Sequence, residues 1–485
     1  MKTLFLHEPE LEFGTGSHID VKFGLMNYGA LDYDSSLAPK QIKLGIVGTP
    51  QTVEGVSEWL RKIANGVDAK PSKRPNLFPR FPGFGEGMPL NAGFSLDNVL
   101  HRTIASNKLD LLCSKPRSEK NTKEIAQLFI EELEYLSQKT TVDVFVCAFS
   151  PNLVEYLDKA ESDFLSGDGE SSESRGESNF VLHDYLKARA MRLRKPIQII
   201  RPGTYLGERQ TRRKSGQEPK NRKRLQDEAT RAWNLYVALY YKAGGAPWRL
   251  IRGWSQLSVC YVGVSFFYSL DQTRLLTSTA QVFNERGEGV ILRGGIAQIS
   301  KEDRQIHLSS ESAYELLKNA LQVYRQEHKN FPARVVVHKT SIHNADEIHG
   351  FQAALRDVGI EPEQADFISV THSLTRLFRG NRYPPLRGTF LSPGGKEHIL
   401  YTKGSVDFFS AYPGLYVPRP LAFRTDATTE TEVFLARELL ALTKLNWNNT
   451  QFDGGEPITI HASKQVGAIL KYVEQEYEPY YRYYM

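Results

Sequence analysis

The sequence predicts an α/β protein built of two lobes, and three observations carry that reading. With 485 residues the chain exceeds what a single core of roughly 100–200 residues accommodates. Up to Lys242, short apolar β-branched runs alternate with stretches of helical spacing, the pattern of β-α-β units. Beyond Pro247, strand-like runs come first and helix–strand alternation follows. The expected boundaries are 1–246 and 247–485.

Composition narrows the class. Hydrophobic residues make up 40% and charged residues 24%, so most of the length has the means to fold. No apolar run approaches the ~20 residues that span a bilayer. Met1 to Glu8 is too short and too soon acidic for a signal peptide. A cytoplasmic protein with no membrane partner is expected. Cys113, Cys147 and Cys260 stand far apart in apolar contexts, which matches no zinc spacing and points to reduced core thiols. The net charge of +5 is unevenly spread: Arg189 to Arg224 is densely basic and Glu161 to Glu177 acidic. Such a run either docks an anionic partner or forms a solvated charged loop.

In chain order, residues 1–40 read as an irregular lead-in that wraps the body. Gln41 to Gly48 is a strand, and Thr52 to Ala64 a helix with Val53, Val56, Trp59, Leu60 and Ile63 on one face. Asn76 to Phe84, rich in Pro and aromatics, is a rigid loop. Asn121 to Gln138 is helical and Val142 to Phe149 a buried strand, after which the Ser/Gly/acid-rich stretch 161–179 reads as a mobile surface insertion. A basic helix, His183 to Arg194, leads into the strand Pro196 to Arg201. The run Arg209 to Arg224, with Arg212 and Arg213, is loop-like. Asp227 to Lys242 is a helix stopped by Gly244-Gly245. Lys242 there either complements the helix dipole, worth under about 1 kcal/mol, or serves a ligand.

The second lobe opens on the strand Ser258 to Leu270, followed by strands near Ala280 to Asn284 and from Val290. Then come a helix from Ser312 to Glu327, a strand 334–339, a helix from Ala345 to Val358 and a strand 365–371. This order is that of an RNase H-like core. His398 to Thr402 is a further strand. Helices follow at Thr431 to Leu445 and Ser463 to Glu474, before the aromatic tail Tyr477 to Met485. The runs Ser258-Val-Cys-Tyr-Val-Gly-Val-Ser265 and Arg334-Val-Val-Val-His338-Lys-Thr340 both end where a small polar residue leaves the sheet. A metal-dependent nuclease places carboxylates at such positions. Ser265 and Thr340 cannot supply that negative charge to a hard divalent cation.

Several stretches together resemble the short prokaryotic Argonautes, which consist of a MID and a PIWI lobe. They are the opening through Phe81-Pro-Gly-Phe84; Tyr185 to Gln198; Tyr241-Lys242-Ala-Gly-Gly245; Gly263-Val-Ser265; Val337-His-Lys-Thr340; Leu445-Asn-Trp-Asn; and Pro457-Ile-Thr-Ile-His461. The resemblance implies a Rossmann-like MID lobe followed by an RNase H-like PIWI lobe. It implies a site for the 5′-phosphate of a guide strand at Tyr185, Gln198 and Lys242. Either Lys187 or Arg189 stands for the family's first lysine. A Tyr face stacks on the first base, and amide and cationic donors suit a doubly charged phosphate. The family's C-terminal carboxylate, here that of Met485, shares a structural Mg²⁺ with the guide.

The resemblance further aligns Ser265, Thr340 and Lys464 with positions of the metal-binding tetrad of cutting members, so a catalytically inactive PIWI lobe is expected. Asp271, Glu285, Glu288, Asp346 and Glu347 lie nearby in sequence as candidate replacements. Asp271, six residues past Ser265, points to another part of the strand or turn. Arg293, Lys339, Arg376, Arg379 and Arg382 are candidates for phosphate contacts along a nucleic-acid channel, as are Arg209, Arg212 and Arg213. The expected partners are a guide RNA, a single-stranded DNA target and an APAZ-containing effector chain of sirtuin-like, TIR or nuclease type. No NAD fingerprint is found in this chain, so NAD consumption would be the partner's. An active guide-dependent nuclease and a guide-independent nucleic-acid scaffold are the alternatives.

Overall fold

The computed structural model describes residues 1–166, 180–207, 225–251, 258–283, 289–380, 384–414, 417–452, 454–473 and 477–485. Its first strand, β1 (Lys2–Phe5), belongs to the second of two large sheets. The first sheet follows, with β2 (Gln41–Gly48), β3 (Gly93–Ser95), β4 (His101–Thr103), β5 (Val144–Ala148) and β6 (Ile197–Ile200). All its pairings are parallel, in the order β3–β2–β5–β6 with β4 also on β2. Parallel strands need long crossovers, supplied here by α1 (Pro50–Ala64), α2 (Glu119–Lys139) and α3 (Leu182–Ala190) among others. The apolar stripe expected on α1 is the face that is buried, with Val56 and Ile63 wholly enclosed. Thr49 caps this helix by accepting from the Thr52 N–H, and Pro50 occupies its first turn. Helix α4 (Glu228–Lys242) closes the lobe, capped by Asp227.

The second sheet is mixed. Strands β7 (Val259–Tyr268), β8 (Leu275–Phe283) and β9 (Gly289–Ile296) form two successive antiparallel pairs. After helix α5 (Ser310–His328), β10 (Arg334–Lys339) returns parallel to β7; after α6 (Ala345–Asp357), β11 (Ala365–His372) lies parallel to β10. Hairpins first and parallel crossovers after is the order expected. Strands β12 (Thr389–Ser392), β13 (Glu397–Leu400) and β14 (Leu421–Ala427) extend the sheet, giving β1–β12–β13–β14–β11–β10–β7–β8–β9. Helices α7 (Glu432–Leu442) and α8 (Ile458–Leu470) come last.

Helix α8 crosses the sheet closely because β7 carries a glycine at the crossing. A Cβ on Gly263 would stand 2.1 Å from the Thr459 carbonyl oxygen, so any side chain there pushes the two apart. Ile458, Ile460, Val466, Ile469 and Leu470 of α8 are buried, each contributing about 1.5–3 kcal/mol of apolar burial.

One continuous apolar core joins the sheets, containing Ile42 and Val146 of the first with Val336 and Ile368 of the second. Trp248 and Trp447 sit within it. The Trp248 indole donates to the Lys444 carbonyl (3.0 Å), the Trp447 indole to that of Trp248 (3.1 Å), and Tyr241 stacks on Trp447. The Pro- and aromatic-rich loop is fixed in the same way, with Phe81 edge-on to Trp233 and Phe84 stacked on Tyr236.

Several features differ from the sequence reading. The lead-in is no mere wrapping: β1 pairs with β12, Lys2 opposite Ser392. It is also locked by Glu8, which accepts from Arg387 Nε (3.0 Å) and Lys444 Nζ (2.9 Å), both buried. The helix Pro151–Ser166 runs into the start of the stretch read as an insertion, because Leu153 and Tyr156 bury against the first lobe; 167–179 lie outside the described residues. The last helix begins at Ile458 rather than Ser463, and β14 is an additional strand. Cys147 and Cys260 are buried in central strands, and Cys113 is half-buried. Among the described residues no helix is long and apolar enough to cross a membrane.

Candidate functional site

Helices α3 and α4 each bring one lysine to the region where the lobes meet. Lys187, on the inward face of α3, is 4% exposed. Its ammonium donates to the carbonyl of Tyr484 (3.2 Å) and to the oxygen of Met485. Burial pushes its pKa down to about 8, against the pull of Asp184. Lys242, in the last turn of α4, is 2% exposed and donates to the Asn448 Oδ1 at 3.4 Å. Burial holds it well below the usual lysine range, and the charge of Lys187 lowers it further. The two cations are thus close enough to repel. Lys187 thus meets the carboxyl terminus at Met485, whereas Lys242 meets an amide oxygen.

The turn after Lys242 needs its glycine: Gly244 has φ +96° and its N–H donates to the Tyr241 carbonyl. Gly244 and Gly245 line a small cavity with Tyr241, Gly289, Tyr480 and Arg482. The tail that faces Lys187 is itself packed down. Tyr481, Tyr484 and Met485 are buried, with the Tyr481 hydroxyl donating to Gln465 (2.7 Å) and that of Tyr483 to the Arg194 carbonyl (2.9 Å).

The other residues named for this site fall into three places. Gln198 lies on β6; its Nε2 donates to the Ile199 carbonyl (3.1 Å), and its Oε1 is buried without a hydrogen-bond partner. Tyr185 is half-buried beside Phe180 and Tyr472, with ring centroids 4.8 and 5.8 Å away. Arg189 is exposed and stands outside the cluster. Residues two apart on a helix do not share a face, so burying Lys187 turns Arg189 to solvent. Of the two alternatives, Lys187 is the one brought to Lys242. Nothing in the run Leu445-Asn-Trp-Asn marks out Asn448 by itself; its place is fixed by the buried Trp447 beside it.

The three positions aligned with a metal site gather on the second sheet. Thr340 donates its N–H to the Val264 carbonyl (3.1 Å), which sets it beside Ser265 across the parallel pair. Ser265 Oγ lies 2.9 Å from Ser278 Oγ, which donates to the Ser463 carbonyl (2.8 Å). Lys464, next on α8, pairs with Glu456 at 2.5 Å, and Glu456 also takes the His372 Nε2 at 3.1 Å. Against the upward push of burial, the hydrogen bonds from His372 and Lys464 and the charge of Lys464 hold the Glu456 carboxyl at about 2. Two hydroxyls and an ammonium do not fit a pair of divalent cations, which need anionic oxygen ligands. Of the nearby carboxylates, Asp271 turns back onto Ser269 and Thr273 in the hairpin, Asp346 is exposed and Glu347 is committed to Lys339. Glu285 and Glu288 lie outside the described residues.

The expected channel cations need one correction. Lys339 is wholly buried, pairing with Glu347 at 2.6 Å and donating to the Ile342 carbonyl (3.0 Å), so it offers nothing to a phosphate. Glu347 in the first turn of α6 points back under the end of β10 and draws the lysine inward. Arg293 is exposed on β9, with one contact to the Val473 carbonyl (3.3 Å). Arg376 and Arg379 are half-buried on the loop after β11. Arg209, Arg212, Arg213 and Arg382 lie outside the described residues.

No protein-family model and no curated protein matches the sequence. Solved structures do match. Clostridium butyricum Argonaute, bound to a guide DNA and a 19-mer target DNA, is similar with a TM-score of 0.62 and 15% identity, over 97% of this chain and 53% of that one. Drosophila Piwi gives 0.60 and 12%, and Aa-Ago with externally bound siRNA 0.57 and 13%; each match covers 99% of this chain and 56% of the other. The chain therefore spans about half the length of these neighbours, and its fold is Argonaute-like.

Proposed function

We propose that this chain holds the 5′-phosphate of a short guide strand and lets base pairing select a target, which it binds without cutting. The observation that carries the reading is the convergence of Lys187 and Lys242, two buried lysines set close enough to repel. A doubly charged phosphate would offset that repulsion, and charge-assisted hydrogen bonds are the strong ones. Gln198, whose amide Nε2 would turn from the Ile199 carbonyl to donate to the phosphate, and Tyr185 complete the site in this reading. The guide and target DNA held by the Clostridium butyricum neighbour support a paired-strand role for the same fold. Here the guide is RNA and the target single-stranded DNA, with the protein reading backbone and shape while pairing reads sequence. Met485, whose buried oxygen lies beside Lys187, is the residue that would hold a Mg²⁺ shared with the phosphate.

Cutting is not part of the proposal, because Ser265, Thr340 and Lys464 bring no anion to the metal position. The output then belongs to a partner: an APAZ-containing effector chain, such as a sirtuin-like or TIR NADase, whose activation ends an infected cell. That part rests on the resemblance to short prokaryotic Argonautes.

The test compares otherwise identical 5′-phosphorylated and 5′-hydroxyl strands on the purified chain. A clear preference for the phosphate is expected, and equal affinity would reduce the protein to a guide-independent scaffold. Guide, labelled matched target and Mn²⁺ are then combined. Intact target is expected, whereas cleavage at a position set by the guide would make the chain a nuclease.

A further inference from the structure

The loop that leaves the carboxyl end of β11, Ser373 to Gly380, presents apolar side chains to solvent. Leu374 is 86% exposed and Phe378 82% exposed, the most exposed large apolar residues of the chain after Met1 among the described residues. This display is not fraying, because the loop is tied at several points. The Ser373 N–H donates to the Pro420 carbonyl (2.9 Å), and the Leu377 N–H to the hydroxyl of buried Tyr401 (2.8 Å). The Arg376 guanidinium donates back to the carbonyls of Ser373 and Thr375, both at 3.0 Å. Leu377 is thereby turned partly inward while Leu374 and Phe378, four positions apart, stand out.

Charge and position say what such a display meets. No acidic residue occurs between Asp366 and Glu397, so the loop carries Arg376 and Arg379 with no carboxylate of its own. Among the described residues Glu456 approaches its base, where it is shared by His372 and Lys464. Strands β10 and β11 are parallel, so the loop leaves the sheet at the same end as Thr340. Ligands of open α/β sheets bind outside that end. An exposed aromatic ring flanked by arginines is the combination that holds single-stranded nucleic acid: the ring stacks on any base, and the guanidinium groups meet the phosphates.

We infer that Ser373 to Gly380 is a base-stacking platform for a bound nucleic-acid strand, with Phe378 and Leu374 against the bases and Arg376 and Arg379 against the flanking phosphates. The inference rests on the nucleic-acid reading above and adds a contact remote from the strand terminus. It is sequence-tolerant, since every base has a face to stack.

The experiment uses the full chain with two fluorescent 5′-hydroxyl probes of about a dozen nucleotides, one of thymidylates and one of abasic residues with the same number of phosphates. The expected result is tighter binding of the base-bearing probe. Phe378→Ala with Leu374→Ala should remove about tenfold of that preference while abasic binding stays unchanged. Arg376→Gln with Arg379→Gln should weaken both probes and flatten the salt dependence. Leu374 and Phe378 are exposed, so replacing them leaves the core intact, and an unchanged melting temperature verifies this for both variants. If the Phe378/Leu374 variant keeps the full preference for bases, the platform is overturned and the apolar display belongs to a protein partner. Preference for a 5′-phosphate, measured on the unaltered chain, separates the two readings. A phosphate preference in an unaltered chain that shows no preference for bases sinks only the platform, whereas failure of the unaltered chain to bind either probe or a phosphorylated strand sinks both.

Discussion

Lys339 Nζ stands 2.6 and 2.7 Å from the two carboxylate oxygens of Glu347, with both side chains wholly excluded from solvent. The carboxylate also accepts the Leu308 and Asn344 N–H groups and faces His307 Nδ1 at 3.2 Å. It therefore ties the end of β10, the first turn of α6 and the segment before α5 into one unit.

Breaking such a pair on one side leaves an uncompensated buried charge. Glu347→Gln should cost roughly 3–5 kcal/mol, and Lys339→Met a similar amount. The double variant Lys339→Met/Glu347→Leu should recover part of the loss, since removing both charges spares their desolvation. Urea unfolding of the three variants measures this, and a double variant worse than the sum of the singles would contradict it.

The pH dependence follows from lysines whose pKa values are depressed in the folded chain. Lys187 titrates near 8 when folded, against 10.5 ordinarily. Between these values the unfolded chain binds more protons, so stability rises with pH across that window. Lys444, also near 8, contributes over the same range. Replacing Lys187 by Met should flatten the rise by something of order 3 kcal/mol while leaving the part due to Lys444. Thermal melts at pH 7.5 to 10.5 read the difference. A terminal phosphate needs the charged lysine, so its binding at pH 8.5 should take up protons, detectable by calorimetry in buffers of different ionisation enthalpy.

Site variants should divide by geometry. Lys187→Ala and Lys242→Ala should each lower the preference for 5′-phosphorylated over 5′-hydroxyl strands by about tenfold to a hundredfold, the worth of charge-assisted hydrogen bonds. Gln198→Ala should act in the same direction. Arg189→Ala, altering an exposed residue outside the cluster, should change the ratio by less than about twofold. Filter binding with both strand types distinguishes these outcomes, and a large effect confined to Arg189 would reverse the assignment.

Gly263→Val should lower the melting temperature, because its side chain meets the Thr459 backbone at the crossing of α8 over β7. Overpacking of this kind costs about 1–3 kcal/mol or more. The same change should shift Ser463 relative to Ser278, visible as faster amide exchange in α8. A Val variant as stable as the parent would mean that the helix yields without cost.

Much of the fold was legible along the chain because periodicity is local. The runs at Gln41–Gly48, Val259–Tyr268 and Arg334–Lys339 read as buried strands, and the faces of Pro50–Ala64 and Glu119–Lys139 as helices, from residues within a few positions of one another. Lys242 before Gly244-Gly245 was visible for the same reason: a helix end and its stop signal adjoin. The strand Lys2–Phe5 was not, since its partner Thr389–Ser392 lies near the other end of the chain and nothing local specifies pairing at that distance.

The sequence by itself determined the alternation of elements, offered Tyr185/Gln198 and Ser265/Thr340 as places to look, and showed hydroxyl side chains at the second pair. Only the tertiary structure decided that Lys187 rather than Arg189 meets Lys242, that Lys339 turns inward to Glu347, and that Leu374 and Phe378 face water. The physical reason is that a side chain's direction is set by its backbone, but what it meets there is set by segments far away in sequence. For Lys187 those are the last two residues of the chain, and for Lys339 the first turn of the following helix.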